Sequence, residues 1–405
     1  VLGESNFLWE DYLLAQPHEL LPMICDPSQW NRRRGPDELA AELDAILAEA
    51  ATLDARCQAI GRFKDREIFR ADIRSILGQS SGLEEFSGEL TDLAEVLLRA
   101  AYRVAIEEQG DAPRTADGRI VPSALCALGK CGGRELGFAS DLELMLVYAD
   151  QDVVEEPAVM SRAVYFDRLV ALLRTILATR RDGTFELDFR LRPYGRGGTP
   201  ATSLTAFLNY YRAGGPAWGY ERQALIKLRA VAGDTEFGRE VEGHRDRFVY
   251  GPEPFDLEGC RRMRKLQLEQ LVEPGTINAK FSPGALVDIE YFVQALQIAH
   301  GPSDPTLRSP STLRALAALE AAGWVLPEEA ETLRQGYLFF RSLTDALRVV
   351  HGHPKDLTVP PADSEEFVLL ARRMRRADPA TLNAELHQRL AATSAIVDRL
   401  PGLLG

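Results

Sequence analysis

Apolar residues recur every three or four positions through most of the N-terminal part of the chain. From Glu38 to Gly78 the sequence is rich in Ala, Leu and Glu at this spacing, which is the pattern of an amphipathic helix. A second such segment runs from Glu89 to Gln109, with Thr91 as its predicted N-cap. Residues 1–110 are therefore predicted to form a helical N-terminal region.

The apolar spacing changes between residues 119 and 193. RIVPSALCALG (119–129) and DLELMLVYAD (141–150) are short and apolar, and in TFELDFRLRP (184–193) apolar and charged residues alternate. These patterns predict three strands, with a helix over about 157–180 between the second and the third. Residues 111–232 are therefore predicted to form an α+β core with a small mixed sheet.

From Thr202 onward the pattern is helical again, and Pro and Gly separate the segments. Repeated helices with short connections are typical of a bundle, so residues 233–405 are predicted to form a C-terminal helical bundle. The predicted helices lie near 203–213, 217–230, 234–250, 256–272, 283–300, 309–322, 326–351, 364–376 and 380–399.

The stretch SDLEL places two carboxylates inside the second predicted strand. Asp141 and Glu143 leave the same face of that strand, roughly 6.5–7 Å apart at the backbone. Leu142, Leu144 and Leu146 take the opposite face and are expected to anchor the strand in a core. Asp188 lies on the polar face of the third strand. If the two strands are neighbours, three carboxylates converge on one sheet edge and need cations to remain ionised. Carboxylates and phosphates are the ligands that Mg²⁺ prefers, and two such ions would assist an in-line phosphoryl displacement. A solvated face is the alternative for the Asp–Glu pair taken alone.

A glycine-rich turn is predicted directly after the first strand. Its glycines, Gly129, Gly132 and Gly133, would let backbone N–H groups approach phosphate oxygens, and the turn is expected to expose Cys131. Basic residues that could neutralise a triphosphate lie in this turn or beside Asp188: Lys130, Arg134, Arg190 and Arg192.

Composition narrows the classes of function. The 405 residues carry a formal net charge of −13, whereas proteins that bind nucleic acid through its phosphates usually present a basic surface; bulk nucleic-acid binding is disfavoured. The five cysteines form no CxxC pair, which favours free thiols in the reducing cytoplasm. No apolar run is long enough to predict a membrane span. Because the sequence starts at Val1, we expect it to be part of a longer protein.

Four segments resemble, in order, motifs of the glutamine synthetase adenylyltransferase family, within the DNA polymerase β-like nucleotidyltransferase superfamily. LGKCGGRELGFASDLELMLVY (128–148) is similar to the family's GKLGGRELxxxSDxDLxxxY. The other three are FELDFRLRPYGRGG (185–198), WGYERQALIKLRAVAGD (218–234) and PGALVDIEYFVQALQIAHG (283–301). The chain departs from the family at Glu143, where Asp is usual, at Cys131, where Leu is usual, and at Ala285, where Gly is usual.

The resemblance implies an enzyme that moves AMP on and off a tyrosine of glutamine synthetase, with ATP as donor, or with phosphate as acceptor to give ADP. It implies that Asp141, Glu143 and Asp188 bind two Mg²⁺ ions. It also implies a nucleotide and phosphate site formed by Gly129, Lys130, Gly132, Gly133, Ser140, Arg190, Arg192 and Lys227. The bundle would present the core to glutamine synthetase, with a PII-type signalling protein as a further expected partner. The motifs mix features of both directions of transfer, so the direction stays open.

Three alternatives accompany this interpretation. Lys227 and Glu221 lie on a predicted helix, where an interhelical ion-pair network is the simpler explanation than a phosphate site. An RNA-end nucleotidyltransferase would use a similar carboxylate triad, although the acidic charge disfavours it. A catalytically silent docking module is the alternative from another class.

The Trp and Phe residues, including Trp218, are expected to pack in the core or between domains.

Overall fold

The computed structural model describes residues 25, 26, 28, 30–150, 161–178, 184–353 and 355–404. The first 24 residues and both ends of the helix predicted over 157–180 lie outside them. Among the described residues the fold is α+β: helices surround one small mixed sheet, which confirms the predicted fold class. The domain boundaries near residues 110 and 232 stay predictions.

Three helices form the described N-terminal region: α1 (Pro36–Glu49), α2 (Leu53–Ile76) and α3 (Leu83–Gln109). The single helix predicted over 38–78 is wrong, because Ala50 adopts an extended conformation and Thr52 caps α2 by accepting a hydrogen bond from the backbone of Ala55 at 3.2 Å. The predicted cap at Thr91 is also wrong. Its hydroxyl lies inside α3 and donates to the carbonyl of Ser87 at 2.7 Å.

The sheet has five strands in the described chain: β1 (Ser123–Ala127), β2 (Leu142–Tyr148), β3 (Leu187–Asp188), β4 (Ala201–Ser203) and β5 (Arg229–Gly233). β2 and β5 flank β1 in antiparallel fashion. On the other side of β2, β3 pairs in parallel with its start and β4 in parallel with its end. The two short strands thus divide one edge of β2 between them.

Two sequence predictions about this sheet need correction. The strand predicted over 184–193 is reduced to Leu187–Asp188, because Phe185 has a left-handed φ of 55° and the chain turns away after Phe189. The helix predicted over 217–230 ends at Ile226, and β5 follows it. Short strands that depend on a neighbour for their hydrogen bonds have little local signal.

Each face of the sheet is buried against a different layer. Leu142, Leu144 and Leu146 face a core shared with the N-terminal helices and α5 (Arg162–Ile176), as the alternation in β2 predicted. Met145 and Val147 face a second core, formed with α6 (Leu204–Tyr210), α7 (Glu221–Ile226) and α8 (Thr235–Val249). The face that carries Glu143 is therefore buried along most of its length.

The C-terminal region is a helical bundle with its own hydrophobic core, as predicted. No helix among the described residues is long and apolar enough to cross a membrane. The helices of the bundle are α9 (Leu257–Leu271), α10 (Leu286–His300), α11 (Thr312–Ala321), α12 (Pro327–His351), α13 (Glu365–Arg373) and α14 (Pro379–Val397).

Candidate active site

The pairing of β2 with β3 brings the three predicted carboxylates to one edge of the sheet. In the parallel register Leu142 lies opposite Leu187 and Glu143 lies opposite Asp188. Asp141 immediately precedes β2. The neighbouring strands that the sequence argument required are present, and they come from segments more than 40 residues apart in the chain.

Glu143 fits into this edge because Gly129 has no side chain. Gly129 has a left-handed φ of 50°, and a Cβ atom at that position would lie 1.3 Å from Oε2 of Glu143. Burial and the neighbouring charge of Asp141 raise the pKa of Glu143, while the charges of Lys280 and Lys130 act in the opposite direction. The charges of two carboxylates and of two cations therefore act on Glu143 in opposite directions.

The carboxylate of Asp188 is held by Arg190. The backbone N–H and the guanidinium Nε of Arg190 donate to it at 2.8 and 2.7 Å. Burial would raise the pKa of Asp188, but the hydrogen bonds and charge of Arg190 hold it below its usual value. Asp188 is therefore an ionised carboxylate whose present partner is a guanidinium.

The donor chemistry of this edge suits Mg²⁺, although the described side chains do not form a preshaped cage. No group of three or more His, Cys, Asp or Glu residues within the described ranges is arranged to hold a metal ion, and Asp188 is directed at Arg190. Carboxylates that raise one another's pKa need a cation between them to stay ionised, which is the situation of Glu143. The ligand roles of Asp141, Glu143 and Asp188 stay predictions.

The glycine-rich segment is one turn of helix, α4 (Gly129–Gly132). A Cβ on Gly132 would lie 1.8 Å from the carbonyl oxygen of Lys227, and one on Gly133 would lie 2.9 Å from Oε2 of Glu135. These two glycines therefore permit close packing against neighbouring segments; their predicted phosphate contacts remain to be tested. The expectation that Cys131 is exposed is wrong, because the residue is fully buried.

Three other predicted site residues make structural hydrogen bonds. The buried hydroxyl of Ser140 accepts a hydrogen bond from the backbone of Gly137 at 3.1 Å, just before β2. Arg192 donates to the carbonyl of Gly198 at 3.0 Å. Arg134 forms ion pairs with Asp92 and Glu95 of α3, so its charge is directed toward the N-terminal helices.

Lys227 lies between two carboxylates. Its ammonium is 2.6 Å from Oε2 of Glu135 and 3.4 Å from Oε1 of Glu290, and its side chain is only 7% exposed. Although burial alone would lower the pKa of Lys227, the two carboxylates raise it above its ordinary value. The other oxygen of Glu135 accepts from the backbone of Thr312 at 2.6 Å. This is the ion-pair network that the sequence left open as an alternative.

The C-terminal bundle supplies charged residues to the site that sequence reasoning missed. Arg348 of α12 donates to the carbonyl of Phe138 at 2.5 Å, and Asp345 accepts from the backbone of Phe138 at 3.1 Å. Burial and the charges of Arg348, Arg341 and Lys280 lower the pKa of Lys130. The bundle therefore fixes the segment that leads to Asp141 and surrounds Lys130 with positive charge.

The sequence contained signals for Lys280 and Arg348, but these signals were not specific to a functional site. Lys280 lies three residues before the segment quoted from 283 onward, and Arg348 begins the segment RVVHGHP. Basic residues most often face solvent, so only the docking of the bundle onto the core reveals which of them lie near Lys130.

The sheet topology, its carboxylate edge and the flanking helices define a core of the nucleotidyltransferase type. Residues 1–244 match the family described as glutamate-ammonia ligase adenylyltransferase. Because this match covers more than half of the 405 residues, the chain belongs to that family. Residues 260–404 are similar to a second family, described as GlnD PII-uridylyltransferase.

Curated relatives carry the name bifunctional glutamine synthetase adenylyltransferase/adenylyl-removing enzyme. The chain is 32% identical to the one from Xanthobacter autotrophicus over 399 residues, which are 96% of this chain and 39% of the relative. It is 31% identical over 380 residues to the one from Cutibacterium acnes, 92% of this chain and 36% of the relative. The one from Pseudomonas aeruginosa is 29% identical over 408 residues, 98% of this chain and 40% of the relative. The chain thus spans about two fifths of these relatives' length.

Proposed function

We propose that this protein transfers AMP to, or removes it from, a tyrosine hydroxyl of glutamine synthetase. The observation that carries the proposal is the register that places Glu143 opposite Asp188, beside a partly buried cluster of cations. Acidic groups that hold metal ions and basic groups that bind phosphates are the two requirements of nucleotidyl transfer. Family membership supports the same reaction.

In the adding direction, the tyrosine oxygen attacks the α-phosphorus of ATP. A new phosphorus–oxygen bond forms to the tyrosine, the bond to the β-phosphate bridging oxygen breaks, and pyrophosphate leaves with its electron pair. In the removing direction, an oxygen of inorganic phosphate attacks the phosphorus of the tyrosyl-AMP ester, which gives ADP and returns the tyrosine hydroxyl. Both reactions are displacements at the same phosphorus, so one set of residues serves both.

The acidic and the basic residues of the site would have different roles. Asp141, Glu143 and Asp188 would hold Mg²⁺, whose chemistry is to neutralise charge on the phosphoryl oxygens and to promote loss of the tyrosine proton, ordinarily with a pKa near 10. Lys130 would meet the phosphates of the nucleotide, aided by Lys280 from the bundle. The low pKa of Lys130, which follows from burial and surrounding cations, means that a bound anion would stabilise its charged form.

The remaining predicted residues would shape this site. Gly129 leaves the space that Glu143 occupies, and Ser140 fixes the turn before Asp141. Arg190, which is 58% exposed, can exchange Asp188 for a phosphate oxygen when a cation takes that carboxylate. Gly132, Gly133 and Arg192 support the backbone around the site.

The test mixes the protein with each form of glutamine synthetase, unmodified and AMP-bearing. One set of reactions receives ATP and Mg²⁺, the other inorganic phosphate and Mg²⁺, and mass spectrometry reads the target before and after. We expect a gain or a loss of one AMP per modified subunit, absent in Asp141→Asn. The Glu320→Gln variant is a charge-matched control that should keep activity, because Glu320 lies near the end of α11 and pairs with Arg334 of the bundle. Unchanged target in every reaction would contradict the proposal and favour a silent docking module.

Regulation by a PII-type signalling protein is a further part of the proposal. Its support is the similarity of residues 260–404 to GlnD PII-uridylyltransferase, and the contacts by which Arg348 and Asp345 of the bundle hold Phe138 near the carboxylates. A protein bound to the bundle could therefore alter the core.

We also propose that the protein is located in the cytoplasm. Its cysteines are free thiols, as is usual in that reducing compartment, and the proposed target, glutamine synthetase, would be found there.

A further inference from the structure

A cavity of about 480 Å³ opens beside the carboxylate edge, and of the residues assigned a role above only Arg190 and Arg192 line it. Its lining combines aromatic and charged side chains. The lining residues include Arg190, Tyr194, Tyr210, Trp218, Glu221 and Leu225. Concave sites with aromatic walls and a few convergent polar groups are typical of ligand binding.

Two aromatic side chains at this cavity are unusually exposed. Tyr194 and Trp218 are each 63% exposed, which corrects the expectation that Trp218 packs in the core or between domains. Tyr194 also has a left-handed φ of 61°, a conformation that costs free energy in a residue with a bulky side chain. Its ring packs edge-on against Tyr210 with centroids 4.8 Å apart. Large aromatic groups held in solvent beside a cavity indicate a surface that a partner covers.

Glu221 fixes the wall of the cavity. Its Oε1 accepts hydrogen bonds from the hydroxyl of Tyr210 and the backbone of Trp218, both at 3.0 Å. Burial raises the pKa of Glu221. Arg190 connects the cavity with the carboxylates, because it lines the cavity and pairs with Asp188.

Helix α7 separates this cavity from the cationic side of the site. Glu221 and Leu225, one turn apart, face the cavity. Gln223 and Lys227, also one turn apart, face α10 of the bundle, where they meet Gln294 and Glu290. The carboxylates lie between the cavity and the cationic side. Asp188 pairs with Arg190, which lines the cavity, whereas the charges of Lys130 and Lys280 act on Glu143.

We propose that the cavity receives the aromatic side chain of the target protein that accepts or returns AMP, an inference that rests on the proposed function. In a displacement at phosphorus the attacking and leaving oxygens lie roughly in line. The cations Lys130 and Lys280 place the leaving polyphosphate on the bundle side of α7, so the attacking hydroxyl must come from the other side. The cavity lies there, and its exposed rings of Tyr194 and Trp218 can pack against a phenol.

The first test measures Trp218→Ala and Tyr194→Ala, with Trp324→Ala as the matched control. Trp324 is 39% exposed and stacks on His300 in the bundle, away from the cavity. We expect the cavity variants to raise KM for glutamine synthetase at least about tenfold, as loss of a central aromatic contact does, and to leave the affinity for ATP within about twofold. The control should change neither. Far-UV circular dichroism establishes that all three variants fold.

Two results would overturn the inference. A weakened affinity for ATP with unchanged KM for glutamine synthetase would show that the cavity holds the adenine base. Unchanged values for both ligands would show that the cavity is not used.

The second measurement separates this inference from the proposed function. Wild-type protein and Trp218→Phe are titrated with a tyrosine-containing peptide of the target, and tryptophan fluorescence is recorded without nucleotide. A change in the wild type that Trp218→Phe abolishes supports the cavity even when no AMP is transferred. Transfer of AMP without any fluorescence change on saturating peptide would refute the cavity and leave the proposed function standing.

Discussion

Replacing Lys227 by methionine tests whether this residue is part of an ion-pair network or of the phosphate site. Methionine keeps most of the length of the side chain and removes its charge. The change leaves two carboxylates without their cation: Glu135, whose side chain is 6% exposed, and Glu290, whose side chain is 15% exposed. The loss of stability depends on how strongly the charge of Lys227 stabilises these buried carboxylates.

The magnitude follows from burial. Removing one partner of a buried ion pair costs roughly 3–5 kcal/mol, because the other charge remains buried and unpaired. Glu135 keeps the backbone hydrogen bond from Thr312, so we expect a loss of about 3 kcal/mol in the free energy of unfolding at pH 7. Lys265→Met is the matched control. Lys265 is 76% exposed and 3.8 Å from its partner Glu269, so its loss should have little effect.

The effect should depend on pH. Burial would raise the pKa of Glu290, but Lys227 and nearby cations hold it below its ordinary value. This carboxylate therefore stabilises the fold above the pKa it has in the unfolded chain, and the stabilisation is lost as the pH falls through its lowered folded pKa. Without Lys227 that lowering of the Glu290 pKa is reduced, because only Lys280, Arg341 and Lys130 then oppose the effect of burial. The difference between wild type and Lys227→Met should thus be largest at neutral pH and shrink toward acid pH.

The assay is urea unfolding followed by circular dichroism, combined with ATP titration of the folded variants. Adding Glu290→Gln to Lys227→Met should recover part of the lost stability, because one uncompensated charge is removed. Unfolding of Lys227→Met at the same urea concentration as the wild type would refute a stabilising role for this buried ion pair. Wild-type stability with a strongly weakened ATP affinity would instead establish Lys227 as a phosphate ligand.

Three further predictions follow from the geometry of the site. Gly129→Ala places a methyl group where Oε2 of Glu143 lies, so AMP transfer should fall at least about tenfold while circular dichroism shows a folded protein; full activity would show that Glu143 can sit elsewhere. Because burial and Asp141 raise the pKa of Glu143, Mg²⁺ should bind more tightly as the pH rises through that pKa, with proton release measurable by calorimetry and absent in Glu143→Gln; an unchanged dependence in that variant would assign the proton to another group. Burial raises the pKa of Cys131 to about 12, so iodoacetamide at pH 7.5 should label the exposed Cys25 and spare Cys131, read by peptide mass mapping; rapid labelling of Cys131 would contradict its burial.

Much of the fold could be predicted because its signals are local. The alternation in β2 correctly assigned Leu142, Leu144 and Leu146 to a core, and the bundle helices lie close to their predicted ranges. The errors in the sheet share one cause. Strands β3, β4 and β5 are two, three and five residues long, and such segments become strands only because a neighbour completes their hydrogen bonds.

The candidate site divides in the same way. The sequence determined the chemical types and their spacing: two carboxylates on one strand face, a third on another strand, and a glycine next to them. Only the tertiary structure decided the partner of each charge. In the folded chain Asp188 forms an ion pair with Arg190, and Lys227 forms one with Glu135. Arg348 donates a hydrogen bond to the backbone of Phe138, 210 residues away in the sequence. The reason is physical. Hydrophobic periodicity is a property of residues that are neighbours in the sequence, whereas the partner of a charge depends on which distant segments pack within a few ångströms of it.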